Sequence, residues 1–135
     1  MSTNPEVQVA IRCDADIVRA REGGRELARQ VGFGGGDLTL IATAISELAR
    51  NIVLFAGHGE IVLRTVADGR RTGVAVVARD TGPGIPDVER ALQVGFSTSG
   101  SLGLGLPGVR RLMDDFDLVS RVGAGTTVTA TKWKP

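Results

Sequence analysis

Leu38, Ile41, Ile45, Leu48, Ile52 and Phe55 follow one another at steps of 3, 4, 3, 4 and 3 residues. At about 3.6 residues per helical turn, such steps put all six side chains on one stripe. A helix marked in this way must bury that stripe, so a second layer has to exist. Asp37 stands before the stripe as a cap, and Gly57 stands after it as a stop. Candidate strands lie on both sides of this helix. Residues 6–12 alternate Val7, Val9 and Ile11 with polar neighbours, the pattern of a half-buried strand. Residues 61–66 and 73–79 read as two more strands, joined by a turn at Asp68-Gly69.

A first helix is expected after Asp14 or Asp16, with Ile17, Ala20, Gly24, Leu27, Ala28 and Val31 on its inner side. Gly23 and Gly24 each weaken it by about 1 kcal/mol relative to Ala, so a close helix contact is expected there. Residues 32–36 break the chain. Residues 106–116 read as a third helix, and residues 118–122 and 126–133 as a last hairpin around Gly123-Ala124-Gly125. The expected fold class is α+β, a two-layer α/β sandwich with a mixed sheet and helices on one face.

The length of 135 residues suits one domain, expected over residues 1–135. A net charge of +1, 4% aromatics and no Tyr argue against nucleic acid as a partner. The lone Cys13 has no partner for an internal disulfide, which favours a reducing, cytoplasmic setting. The first residues lack a basic start followed by an apolar core, so no signal peptide is expected. No apolar run approaches the roughly 20 residues that cross a bilayer, so no membrane partner is expected either.

Three constellations carry chemistry. Asp80-Thr81-Gly82-Pro83-Gly84 sits at the end of an apolar strand. Val74, Val76, Ala78 and Asp80 point the same way on that strand. A carboxylate at the edge of a core needs donors, and the exocyclic amine of a purine is one. Taken alone, a polar turn explains the segment equally well. Glu47 and Asn51 lie one turn apart on the second helix, flanking its stripe. An amide oxygen suits Mg²⁺ when phosphates and waters complete its shell, and a carboxylate beside it can accept a proton. A solvated helix flank is the plainer alternative. Ser101-Leu102-Gly103-Leu104-Gly105-Leu106 leads into a helix, where glycine amides can bind an anion. Between the first and third of these, residues 85–102 are rich in Gly, Ser and Thr, with a short helical possibility at 88–93. They read as a lid.

In this order, Glu47-x3-Asn51, Asp80-x-Gly82-x-Gly84, Gly103-x-Gly105-Leu106 and Gly125-Thr126-Thr127 resemble the GHKL superfamily. That superfamily holds gyrase-type ATPases, Hsp90, histidine kinases and MutL, and has the Bergerat nucleotide fold. The resemblance covers nearly the whole chain. It implies ATP between helices and sheet, Mg²⁺ on Asn51, and Asp80 bonding the adenine amino group. It implies Gly82 and Gly84 lining the base pocket, and Gly103, Leu104, Gly105 and Leu106 at the phosphates. Thr126 or Thr127 would lie near the adenine, and Glu47 would be the catalytic base. Ser101 stands where the superfamily often has another glycine.

The only histidine, His58, lies between two glycines and reads as a turn residue rather than a phosphoacceptor. Residues 103–118 resemble the RsbT-type switch kinases of the stressosome more than the anti-sigma factor kinases RsbW and SpoIIAB. The resemblance implies serine/threonine phosphorylation of STAS-domain proteins of the RsbS and RsbR kind. It also implies later activation of a PP2C-type phosphatase of the RsbU kind. An anti-sigma factor, or an ATP-dependent binding switch that transfers nothing, is the alternative. Homodimer formation is left open. Arg19, Arg21, Arg25 and Arg29 lie outside the apolar stripe of the first helix, either as a solvated face or as a dock for an acidic surface.

Overall fold

The computed structural model describes residues 6–85 and 105–135. Strand β1 (Glu6–Ile11) is followed by helices α1 (Asp14–Val31) and α2 (Gly35–Asn51), and α2 runs on into a π-helical turn, Ile52–Ala56. Strands β2 (Gly59–Asp68) and β3 (Arg71–Asp80) form a hairpin. Helix α3 (Gly105–Leu112) then precedes a second hairpin, β4 (Asp115–Arg121) and β5 (Gly125–Trp133). The sheet order is β1-β2-β3-β5-β4.

The expected two-layer α+β class is what the chain adopts. The expected mixed sheet is not: all four ladders are antiparallel. For two of the four the connection gives the reason: short turns join β2 to β3 and β4 to β5, and a tight turn can only reverse a strand.

Alternation along the strands builds the core. Ile61 and Leu63 of β2, Val74, Val76 and Ala78 of β3, and Val128 and Ala130 of β5 share one cluster with Ala20, Leu27, Ile41, Ile45 and Leu48 of the helices. The expected close contact at Gly24 is present. A side chain added there would run into Ile45 and Leu63.

Helix ends depart from expectation. The α1 cap is Cys13, and Asp14 is the first helical residue. Asp16, 1% exposed, instead turns back to accept the Arg12 N–H at 2.8 Å. Gly34 rather than Asp37 caps α2, and Asp37 sits in its first turn. The α2 stripe holds to Ile52 but not to Phe55, which is 44% exposed. The π-helical turn adds a residue to the last coil, with the Gly57 N–H bonded to the Ile52 carbonyl at 2.8 Å, and this rotates Phe55 off the stripe. Helix α3 stops at Leu112, and Phe116 belongs to β4.

One further expectation is corrected. The helical stretch Gly35–Phe55 is, by length and composition, long and apolar enough to cross a membrane. Half of its most apolar window is buried inside the protein, where it serves as the core helix.

Candidate functional site

Four pieces of backbone converge at one end of the sheet: the last turns of α2, the end of β3, the β4–β5 turn and the first residue of α3. Glu47 lies on the buried flank of α2 and is 8% exposed. Its Oε2 accepts the Gly105 N–H at 3.2 Å, which ties α2 to the start of α3. Gly105 has φ +68, a left-handed conformation that suits glycine. The first amides of a helix lack internal partners and carry positive potential. The Glu47 carboxylate therefore occupies a place suited to an anion. Asn51, half-buried, ends α2 one turn further on, where the coil widens.

Asp80 ends β3 on the face shared with Val74, Val76 and Ala78. In register it lies opposite Gly59 on one side and Thr126 on the other. It is half-buried, and its Oδ1 accepts the Gly82 N–H at 2.9 Å, closing a tight Asx turn. Among the described residues Oδ2 has no bonded partner. Gly82 packs on the π-helical turn: a Cβ there would come within 2.7 Å of Ala56 Cβ. Gly84 has φ +80, and a side chain on it would strike the Arg121 carbonyl.

The segment after Asp80 is thus fastened to the β4–β5 turn. The Gly123 N–H donates to the Pro83 carbonyl at 2.8 Å. The Ile85 N–H donates to Ser120 Oγ at 2.7 Å, and Ser120 Oγ lies 2.8 Å from Thr126 Oγ1. Ser120 was not among the residues singled out from sequence. The available signal is that it follows Phe116 and Leu118 on the inward face of β4, where a polar residue needs partners.

Register puts the two threonines on opposite faces. Thr126 lies opposite Asp80 and shares its face, whereas Thr127 lies opposite Arg79 and faces the other way. Leu106, half-buried, packs its side chain against the core. His58 is exposed between its glycines. Ser101, Gly103 and Leu104 fall outside the described residues, as do the helical possibility at 88–93 and all of the expected lid except Ile85.

Among the described residues no group of three or more His, Cys, Asp or Glu gathers as a metal cage. A Mg²⁺ ion needs none here. It keeps several waters and takes one or two protein oxygens when phosphates are its main ligands. The Asn51 amide oxygen fits that donor set. Chemically, the cleft offers a carboxylate for an amino group, helix-end amides for an anion, and a second carboxylate beside them.

Residues 36–135 match the family described as histidine kinase-, DNA gyrase B-, and HSP90-like ATPase. The chain is 53% identical to the serine/threonine-protein kinase RsbT of Bacillus subtilis (strain 168), over 96% of this chain and 98% of that one. It is 33% identical to an anti-sigma F factor of Bacillus licheniformis, over 71% of this chain and 69% of the relative. In fold it is similar to the mycobacterial sensor histidine kinase MprB, with a TM-score of 0.57 at 20% identity and 97% of each chain covered. From the family match and from the likeness to RsbT along nearly its full length, the chain belongs to the histidine kinase-, DNA gyrase B- and HSP90-like ATPase family.

Proposed function

We propose that this chain is a serine/threonine protein kinase that moves the γ-phosphoryl group of ATP to a hydroxyl on a STAS-domain regulatory protein. Once released from that partner, it binds and activates a PP2C-type phosphatase in the reducing cytoplasm. The kinase role rests on the 53% identity to RsbT over nearly all of both chains. The observation that carries the mechanism is the Glu47–Gly105 hydrogen bond, since it joins a buried carboxylate to a helix start suited to phosphate.

In the proposed reaction the acceptor hydroxyl oxygen forms a bond to the γ-phosphorus. The bond from that phosphorus to the bridging oxygen breaks, and its electron pair leaves with ADP. The hydroxyl proton passes to the Glu47 carboxylate. Asp80 Oδ2 accepts from the adenine amino group and so orients the nucleotide. Gly82 and Gly84 let the wall of the cleft pack against the π-helical turn and Arg121, and Thr126 lies at the edge of the ring. The Gly105 amide, released from Glu47, shares the phosphate charge. The Asn51 amide oxygen is the protein ligand offered to Mg²⁺, which when bound neutralises phosphate charge. Positioning and charge account for most of such a transfer.

A second reading has support of its own, the 33% identity to an anti-sigma F factor. On that reading the chain sequesters a sigma factor and ATP sets only its conformation. Incubation with labelled ATP and a STAS-domain protein separates the two. Label on a serine or threonine of the partner is the expected result. Tight nucleotide binding with an unlabelled partner would favour the switch.

A further inference from the structure

One row of polar residues crosses the sheet at the end where Asp80 stands. Asp80 of β3 lies opposite Thr126 of β5, and Thr126 lies opposite Ser120 of β4. All three point to the same face, with Thr126 in the middle. Directly opposed residues of an antiparallel pair hold their Cβ atoms about 4.5–5.5 Å apart. Thr126 therefore stands beside Asp80 on one side and beside Ser120 on the other. The hydroxyl oxygens of Ser120 and Thr126 are 2.8 Å apart.

Two hydroxyls carry two protons, and their neighbours decide where these go. Ser120 Oγ already accepts the Ile85 N–H at 2.7 Å. Two acceptors lie within reach of its own proton, Thr126 Oγ1 at 2.8 Å and the Gly125 carbonyl at 3.3 Å. The first distance is usual for a bond between a hydroxyl and an oxygen, and the second is long for one. A hydroxyl that accepts a bond is also a stronger donor. The favoured arrangement is thus a chain in one direction, from the Ile85 N–H to Ser120 and from the Ser120 O–H to Thr126. Thr126 then keeps its proton to donate elsewhere. The reverse chain, with Ser120 donating to Gly125 and Thr126 to Ser120, relies on the longer bond and leaves Thr126 as an acceptor.

An ionised Asp80 can only accept. In the favoured arrangement the row offers an acceptor and a donor side by side. The edge of adenine is the complement, since its 6-amino group donates and its N1 accepts. Guanine has the opposite order, an accepting O6 beside a donating N1–H. We propose, on the reading that places the adenine amino group at Asp80, that Ser120 is a positioning residue for the base. By donating to Thr126, it turns the Thr126 proton toward N1 of adenine. Thr126 makes the contact and Ser120 acts through it. Because Ser120 Oγ also holds the Ile85 amide, the same hydroxyl ties the chain beyond Gly84 to the choice of base.

The test is calorimetric titration of the full chain with ADP and with 1-deaza-ADP, in which a C–H group replaces N1 and the amino group is kept. The wild type should bind ADP about fivefold more tightly, the usual worth of one neutral hydrogen bond. In Ser120→Ala that preference should disappear. A merely structural role would weaken both ligands alike and leave the ratio unchanged, which would overturn the proposal. Ser120→Thr restores the hydroxyl and should restore the preference. Thr126→Val removes the proton at nearly constant shape and should abolish the preference by itself. Should Ser120→Ala fail to fold, Ser120→Cys carries the same expectation, because a thiol is only a weak donor. Purine riboside diphosphate, which lacks the amino group and keeps N1, tests the placement at Asp80 separately. It should bind the wild type more weakly than ADP. Equal binding of the two would overturn that placement and the proposal with it. Weak binding of purine riboside diphosphate, together with equal binding of ADP and 1-deaza-ADP, would overturn the role of Ser120 and leave Asp80 in place.

Discussion

Glu47 accepts a hydrogen bond from the Gly105 amide, which in the proposed reaction serves phosphate. Two consequences follow for the proposed base. Replacing it with Ala removes the proton acceptor and frees the Gly105 N–H at the same time. Phosphotransfer in Glu47→Ala should fall by about 10²–10⁴-fold, the usual range for a general base. Nucleotide affinity should stay level or rise. Glu47→Gln keeps a hydrogen-bond acceptor but cannot take a proton, so it should lose transfer equally. Single-turnover phosphotransfer and fluorescent ADP binding measure the two quantities, and full transfer in either variant would remove Glu47 from the mechanism. Asn51 has a different signature. Chelation of Mg²⁺ should weaken ATP binding to the wild type and leave Asn51→Ala unaffected, since the variant has already lost the protein's ligand. Equal sensitivity to chelation in both proteins would count against Asn51. Among residues, Gly82 and Gly84 were legible as positions that demand glycine, but the sequence pointed to a bound ring as the reason, whereas the structure shows neighbouring chain. Gly82 and Gly84 each stand where a neighbouring stretch of chain leaves no room for a side chain, and only glycine tolerates that. Ser120 was hidden because its partners, Ile85 and Thr126, are brought to it by the fold rather than by spacing along the chain.

At the level of elements, the two glycines in α1 behave as opposites. A Cβ at Gly24 would collide with Ile45 and Leu63, while a Cβ at Gly23 would meet only Val7 Cγ1, at 3.4 Å. Overpacking a core costs about 1–3 kcal/mol, and replacing a helical Gly by Ala returns up to about 1 kcal/mol. Gly24→Ala should therefore destabilise by roughly 1–2 kcal/mol, whereas Gly23→Ala should be neutral or stabilising by up to about 1 kcal/mol. Urea unfolding followed by Trp133 fluorescence reads both, and a stabilised Gly24→Ala would contradict the packing. Helices and strands were legible where periodicity ran unbroken. The stripe from Leu38 to Ile52 and the alternation of β1 and β3 both lead directly to the core. Ends were legible only in part. A spacing of three and four cannot encode the extra residue of the π-helical turn, so Phe55 looked like core and lies exposed. Phe116 follows Leu112 at helical spacing, yet the Asp114 N–H bonds the Thr131 carbonyl at 2.9 Å and draws the chain into the sheet.

Across the whole molecule, β3 connects two differently built ends. At one end Arg71 lies over the Trp133 ring at 4.1 Å, and Trp133 Nε1–H donates to Asp115 at 2.8 Å. At the other end Asp80 faces the nucleotide cleft. Trp133 pairs with Gly73, seven residues along β3 from Asp80, about 23 Å at the usual rise. Trp133 is therefore too distant to be quenched by a nucleotide, and any change it reports on ligand addition comes through global stability. A ligand that binds only the folded chain stabilises it by about 2.7 kcal/mol at one hundred times its dissociation constant, which for a chain of this size raises Tm by on the order of 10 °C. ADP should produce that rise in the wild type. GTP should not, because guanine presents a carbonyl oxygen where adenine presents the amino group, and two acceptors repel at Asp80. Asp80→Asn keeps an oxygen for the Gly82 N–H and so preserves the turn, but its amide can turn a donor toward the base. In that variant the ADP-dependent rise should shrink and a GTP-dependent rise should appear. Thermal unfolding by Trp133 fluorescence, with ADP and GTP on both proteins, measures all four values. A wild type stabilised equally by the two nucleotides, or an Asp80→Asn variant that keeps the full ADP response, would mean that the base is recognised elsewhere in the fold.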